Sequence, residues 1–360
     1  MTNEASRSDS EVQLDRYDWS RAYRWNYEHA PQQEGSASRE DVAPVPGEWS
    51  FLGLPVASPL GVAAGPLLNG RWCLYYADRG FDVVTYKTVR SGGRECYPLP
   101  NLQPITSEAM TRAGAVVASR QQMNGSWAVS FGMPSSDPDV WRRDVEWTRS
   151  RLRADQLLSV SVVGTVQSGW DMDRLAEDYA QCARWAVDSG ADCIEANFSC
   201  PNVATCDGQL YQDARDSQRV AVAIREAIGK KPLIIKIGYF AESESVHPLV
   251  DALDGVVDGL SMTNSIAAKV RAETGEMMFD GEQRGICGDA IRASSIGQVK
   301  RFAGAISNRN SSIELIGVGG ISAAEHAHAY LAAGAHACHL ASSVMVDPKV
   351  GQKIRRAWCD

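Results

Sequence analysis

The run CIEANFSCPNVATC, Cys193 to Cys206, ends an alternating segment with an amide (Asn197), a hydroxyl (Ser199), a thiol (Cys200), a proline and a second amide (Asn202). The alternation from Cys193 to Phe198 predicts a strand, so this hydrogen-bonding capacity gathers around one sulfur at a strand's C-terminal end. Three chemistries are open to Cys200. It can be an inert buried thiol, as most free cysteines are. It can pair with Cys206, although that spacing matches no known redox motif. It can serve as a general acid or base, because a thiol with an ordinary pKa of about 8.5 exchanges a proton where its surroundings favour thiolate. The carboxamides of Asn197 and Asn202 donate and accept at once, which suits a flat ligand with alternating N–H and C=O groups. Asn264 and Ser265, in TNSI, offer the same pair of groups from a second predicted strand end.

Lys236 stands in PLIIKIG among apolar residues. Lysine is almost never buried without a partner, so a carboxylate or an electron-rich ligand is expected beside it. Lys87 in VVTYKTV raises the same requirement, and two such lysines on one rim point to an anionic or carbonyl-rich ligand. GVGGIS, Gly317 to Ser322, joins a predicted strand to the helical segment AAEHAHAYLAAG, and HLASS follows with Ser342 and Ser343. Glycines that admit a phosphate to backbone N–H groups, next to a helix start, form a phosphate grip. RGICGDA, with Gly285 and Gly288, supplies another glycine pair. His326, His328, His336 and His339 do not read as a metal site: 326 and 328 are two apart in a predicted helix and face different ways.

These groups need elements to hold them. Short β-rich runs at 58–65, 82–89, 157–164, 193–200, 232–238, 259–265, 314–320 and 336–342 alternate with helix-compatible segments such as MDRLAEDYAQCARWAVDSG and DSQRVAVAIREAIGK. The pattern predicts βαβ units and a parallel sheet. Lys87, Ser130, Asn197, Lys236, Asn264 and Gly319 fall at or near strand C-termini, the rim on which barrel active sites are built. A doubly wound sheet also gathers ligands there, but eight units fit an α/β fold of the (β/α)8 TIM-barrel type better. WAVSFG, 127–132, reads as a ninth strand or part of an inserted hairpin. The stretch 91–135 reads as a long loop able to cover the rim. Residues 1–48 form a polar N-terminal extension in which the aromatic-rich Tyr17–Pro31 reads as a helical arm, and 49–360 form the barrel domain.

Composition removes other classes. The 360 residues are 44% hydrophobic, enough for a sizeable core, and no apolar run reaches the 18 or so residues of a membrane span. The net charge of −8 without a basic block argues against nucleic acid. Nine cysteines, an odd number without C-x-x-C, imply reduced thiols. The polar start, MTNEASRSDSEVQLD, lacks a secretory signal's apolar stretch, and a cytoplasmic protein is expected.

NFSCPN resembles the N-[LF]-S-C-P-N active-site loop of dihydroorotate dehydrogenases, FMN-dependent barrel enzymes that oxidise dihydroorotate to orotate. SPLGVAAG, TYKTV, SFGMP, IKIG, TNSI, RGICGDA and GVGGI follow in the family's order over roughly residues 50 to 348. The resemblance implies FMN as cofactor and Cys200 as the base that takes the C5 proton while hydride leaves C6. Cysteine there is similar to the soluble class; the membrane-associated class carries serine. It implies a substrate site at Asn197, Asn202, Asn264, Ser265, Ser130, Gly132 and Met133, with Lys87 near flavin and substrate. It places Ala63, Ala64, Gly65, Thr88, Asn197 and Asn264 along the flavin, and Lys236 beside its N1/O2 side, where negative charge collects on reduction. Gly288, Gly319, Gly320 and Ser342 would hold the phosphate.

Three positions depart from the family pattern. Val129 stands where an asparagine would reach the substrate, a change that costs a polar pocket discrimination; Asn124 in QQMNGSW is one replacement. Cys287 replaces a serine and Ala341 a glycine. Dihydroorotate is therefore the expected substrate, with another dihydropyrimidine or cyclic amide as the alternative and a non-redox phosphate-binding barrel as the second. The resemblance makes a homodimer the default. The electron acceptor is open, since the chain has no iron–sulfur cysteine spacing.

Overall fold

A computed structural model describes residues 15–31, 42–106, 108–199, 206–241 and 246–359. Eight parallel strands close into a barrel: β1 (Leu60–Val62), β2 (Val83–Val89), β3 (Leu157–Val162), β4 (Cys193–Asn197), β5 (Leu233–Lys236), β6 (Gly259–Met262), β7 (Glu314–Val318) and β8 (Ala337–Leu340). All eight expected runs are barrel strands. Helices cover the barrel outside and side chains fill it inside, so β2 is buried at all seven positions, as a parallel sheet requires. Helices follow where side chains can close their free N–H groups. Asn69, Asp171 and Asp213 accept from the backbone of Trp72, Arg174 and Asp216 and start helices Gly70–Ala77, Met172–Asp188 and Ala214–Ile228.

The lower end of the barrel is sealed by an antiparallel hairpin, Trp49–Phe51 with Leu54–Val56. Phe51 inserts among Val83, Leu157, Cys193 and Ile316 and stacks on the His339 ring at 5.4 Å. A buried ion pair between Arg355 and Asp82 fastens the C-terminal helix, Val350–Arg356, to the start of β2.

The upper end differs from expectation. The stretch 91–135 is not a structureless loop. Its strands Leu102–Pro104, Ala115–Ala118 and Ser126–Val129 join Ile266–Arg271 and Arg284–Gly288 in a five-stranded sheet over the mouth. WAVSFG thus contributes to this sheet and not to the barrel, and RGICGDA forms its central strand, with Gly285 opposite Val129. Leu102–Pro104 and Ala115–Ala118 pass unnoticed in sequence because each is only three or four residues long and depends on a partner elsewhere in the chain. The sheet has its own core, built from Ile105, Ala128, Ile266, Ala268, Val270 and Ile286.

Gly61, on β1, is fixed by the barrel interior. A Cβ there would lie 2.4 Å from the His339 ring and 2.8 Å from the Val83 carbonyl oxygen. Gly61→Ala should lower unfolding free energy by on the order of 3 kcal/mol, read from the urea midpoint at unchanged m-value.

Candidate functional site

A cavity with about 900 Å³ of empty space, partly open to solvent, lies between the C-terminal strand ends and the mouth sheet. Ala63, Ala64 and Gly65 line it from the end of β1, Lys87 and Thr88 from β2, and Asn197 from β4. Lys236 enters from β5, Asn264 and Ser265 follow β6, and Ser342 follows β8. The mouth sheet and its connection add Trp127, Val129, Phe131, Gly132 and Met133. Residues spread over some 280 positions thus meet at one site because barrel closure makes the last strand a neighbour of the first. Its walls are mostly apolar, with a few convergent polar groups, as ligand cavities typically are.

The floor is an ion pair. Lys236 Nζ lies 2.6 Å from Glu195 Oε1, with both side chains nearly fully buried. Ser161 Oγ lies 3.5 Å from the amine and 2.9 Å from Thr88 Oγ1, which continues the polar path to the cavity wall. Lysine at a barrel strand end called for a counter-charge; Glu195 supplies it from the adjacent strand. The sequence signal was the period-2 step from Glu195 to Asn197, which turns both side chains inward. Below, His339 is buried with neither ring nitrogen partnered among the described residues. Burial holds its pKa down at about 4, so it is neutral at pH 7.

At the rim, Asn197 accepts from the Ser199 backbone N–H at 3.1 Å and lies 3.4 Å from Met133 Sδ. Asn264 donates to the Ser199 carbonyl at 2.6 Å, linking the loops after β4 and β6. Lys87 Nζ stands 5.3 Å from the centre of the Phe131 ring, a cation–π distance. Gly132 is in the left-handed region at φ +73°, where a Cβ would strike the Tyr97 ring. Cys287 also lines the cavity; its thiol donates to the Asn264 carbonyl, and burial raises its pKa to about 12.

A second hollow continues from the first across Ser342 and is lined by Gly288, Gly320, Ser343 and Asn124 among others. Gly288 and Gly320 both have positive φ, and a Cβ on either would collide with neighbouring backbone. The glycines are required by this close packing.

Not every expected residue reaches the site. Ser130 does not line the cavity; its Oγ accepts from Arg284 Nε at 2.8 Å. The Gly319 carbonyl accepts from the Tyr330 hydroxyl behind the hollow. Asn124 lies in the second hollow and not beside Val129, so it does not stand in for the missing asparagine. Cys200 and Asn202 lie outside the described residues. Glu195, Trp127, Phe131 and Met345 were missed, being ordinary strand or core residue types in sequence. Among the described residues no group of three or more histidine, cysteine or acidic side chains could hold a metal, and no helix is long and apolar enough to cross a membrane.

Fold and site define a (β/α)8-barrel enzyme with a two-part ligand cavity at its C-terminal face. The family model described as dihydroorotate dehydrogenase matches residues 48–358. A dihydroorotate dehydrogenase of Dictyostelium discoideum is 31% identical over 94% of this chain and 95% of its own. A dihydroorotate dehydrogenase (quinone) of Bordetella avium is 24% identical over 81% and 78%. A crystal structure of DHODH from Eimeria tenella, in complex with ferulenol, shares the fold with a TM-score of 0.69 and 20% identity, covering 93% of this chain and 88% of that one. The chain belongs to the dihydroorotate dehydrogenase family and is an oxidoreductase.

Two outcomes follow from the floor. Lys236→Met should cost about 3–5 kcal/mol by leaving the Glu195 carboxylate buried and unpaired, and adding Glu195→Met should recover much of it; urea unfolding of the three variants checks this. His339 takes up a proton near pH 6.5 when unfolded but near 4 when folded. The unfolded state therefore binds more protons between these values, and stability present above pH 6.5 is lost as pH falls toward 4. Thermal midpoints across that window should fall less in His339→Leu than in the parent.

Proposed function

We propose that this protein oxidises dihydroorotate to orotate with FMN as cofactor. The observation that carries the reading is the family membership joined to one cavity in which Lys87, Lys236, Asn197 and Asn264 converge. The residues present suit FMN. A mostly apolar slot bounded by Ala63, Ala64 and Val318 accepts a planar ring, and the adjoining hollow offers Gly288, Gly320, Ser342 and Ser343 for a phosphate. When bound, FMN supplies the two-electron acceptor. Lys236 presents positive charge from the floor, where a developing anion is stabilised without reorganisation.

The oxidation removes a proton from C5 and a hydride from C6, forming the C5–C6 double bond. The base is assigned to Cys200 on the resemblance of NFSCPN. Asn197 and Asn264 orient the ring amides, with Asn202 completing the set from the same motif, and Lys87 offers its ammonium to an anionic substituent. Val129 favours a second reading: the wall opposite is alkyl, so another dihydropyrimidine undergoes the same chemistry. In both, a CH–CH unit is oxidised, the two electrons leaving as hydride from a C–H bond.

Anaerobic addition of L-dihydroorotate to the yellow protein should bleach the flavin's visible band. A yellow protein that does not bleach favours the second reading, and a colourless protein that FMN cannot reconstitute rejects both. Cys200→Ala should retain FMN and slow bleaching by about 100-fold or more, the scale of general-base contributions; an unchanged rate would remove the base from Cys200.

A further inference from the structure

The N-terminal arm contributes nothing to the chemistry above, yet it is tied closely to the cavity wall. Its helix, Tyr23–Glu28, is held by side chains of the first barrel helix and the residue that caps it. Trp72 Nε1 donates to the Asn26 carbonyl at 3.1 Å, and Asn69 Nδ2 to the Tyr27 carbonyl at 2.8 Å. The Tyr75 hydroxyl donates to the Asp15 carbonyl. Thus fixed, the arm presses two rings edge-on against Phe131: Tyr17 at 6.0 Å and Tyr23 at 5.6 Å between centres. Phe131 is 5% exposed and lines the cavity, and Lys87 Nζ lies 5.3 Å from its centre.

A backbone link runs beside the rings. The Tyr23 N–H donates to Asn101 Oδ1 at 3.2 Å, and Asn101 Nδ2 donates to the Ser130 carbonyl at 3.2 Å. The Ser130 N–H returns to the Asn101 carbonyl at 2.8 Å. The segment so clamped leads directly into Gly132 and Met133, both at positive φ. Non-glycine backbone in that region persists only where the surroundings hold it.

We infer that Tyr17 and Tyr23 are positioning residues for the substrate end of the cavity, acting through Phe131 to fix the wall that faces Lys87. The arm is thereby part of the binding site without touching the ligand. For Tyr17 the ring does this work: its buried hydroxyl has no hydrogen-bond partner among the described residues. Two edge-on aromatic contacts, each worth about 0.5–1.5 kcal/mol beyond area burial, suffice to select one ring orientation over others. The identity of the ligand rests on the function proposed above; the positioning does not.

The test compares Tyr17→Ala, Tyr17→Phe, Phe131→Ala and the double variant Tyr17→Ala/Phe131→Ala in the full chain. With L-dihydroorotate, Tyr17→Ala should raise KM at least tenfold while kcat and FMN affinity stay within twofold. Tyr17→Phe should match the parent. The double variant should be no worse than Phe131→Ala alone, since the tyrosine acts through that ring. Additive losses, or kcat falling with KM unchanged, would overturn the inference. Hydrogen exchange gives a readout independent of substrate and flavin. Amides of residues 129–133 should exchange at least tenfold faster in Tyr17→Ala, with the barrel strands unchanged. Unaltered exchange there would overturn the positioning role even if dihydroorotate proves to be the substrate. A parent protein inert to dihydroorotate, with the exchange change present, would leave the arm's role standing and reject the substrate.

Discussion

An ammonium at the floor of an apolar cavity has to bring its own counter-charge, and the barrel is arranged around that requirement. Lys236 and Glu195 sit on adjacent strands, and their 2.6 Å contact occupies space that aliphatic side chains fill in many barrels. Removing two charges from water costs several kcal/mol per ion, so such a pair adds little net stability relative to well-packed apolar residues. Its presence is explained by what the lysine faces. The consequences spread outward: serines and a neutral histidine occupy neighbouring interior positions, Gly61 gives way to that histidine, and the hairpin inserts Phe51 to close the remaining space.

The parts of the molecule legible in sequence share one property: their signal is local. Each barrel strand is a short apolar run bounded by turns, and Lys87, Lys236, Asn197 and Asn264 stand out as polar groups at the ends of such runs. Gly288 and Gly320, in RGICGDA and GVGGIS, are legible because positive φ and close backbone approach leave no other residue type comfortable. What stayed hidden depends on pairing at long range. Leu102–Pro104 and Ala115–Ala118 are strands only because Ser126–Val129 and Ile266–Arg271 lie beside them. Asn124 illustrates the limit most clearly. Five residues from Val129 it is near in sequence, but the extended strand Ser126–Val129 separates the two and leaves Asn124 in the other hollow. The family resemblance predicts Ser130 at the ligand, yet alternation turns it to Arg284 and leaves Val129 and Phe131 to line the cavity.

The cavity is therefore assembled from three layers with separate duties. The barrel contributes fixed charge and amides from strand ends, the mouth sheet contributes apolar walls, and the arm braces one of those walls from behind. Rigid support of this kind is what substrate positioning requires, because small displacements of a binding group are costly to rate. It also accounts for the burial of Tyr17 and the packing of Tyr23 and Tyr27 against the core.

The mouth sheet pairs Gly285 with Val129 across a stretch of chain that contains β3, β4, β5 and β6. Such a pairing carries a loop-closure cost that is recovered only once the intervening strands have found their places. The same topology makes the mouth sheet the natural place for partial opening, since it can separate while the barrel stays closed. A ligand bridging the two would then do more than occupy the site: it would tie the sheet to the barrel beneath it.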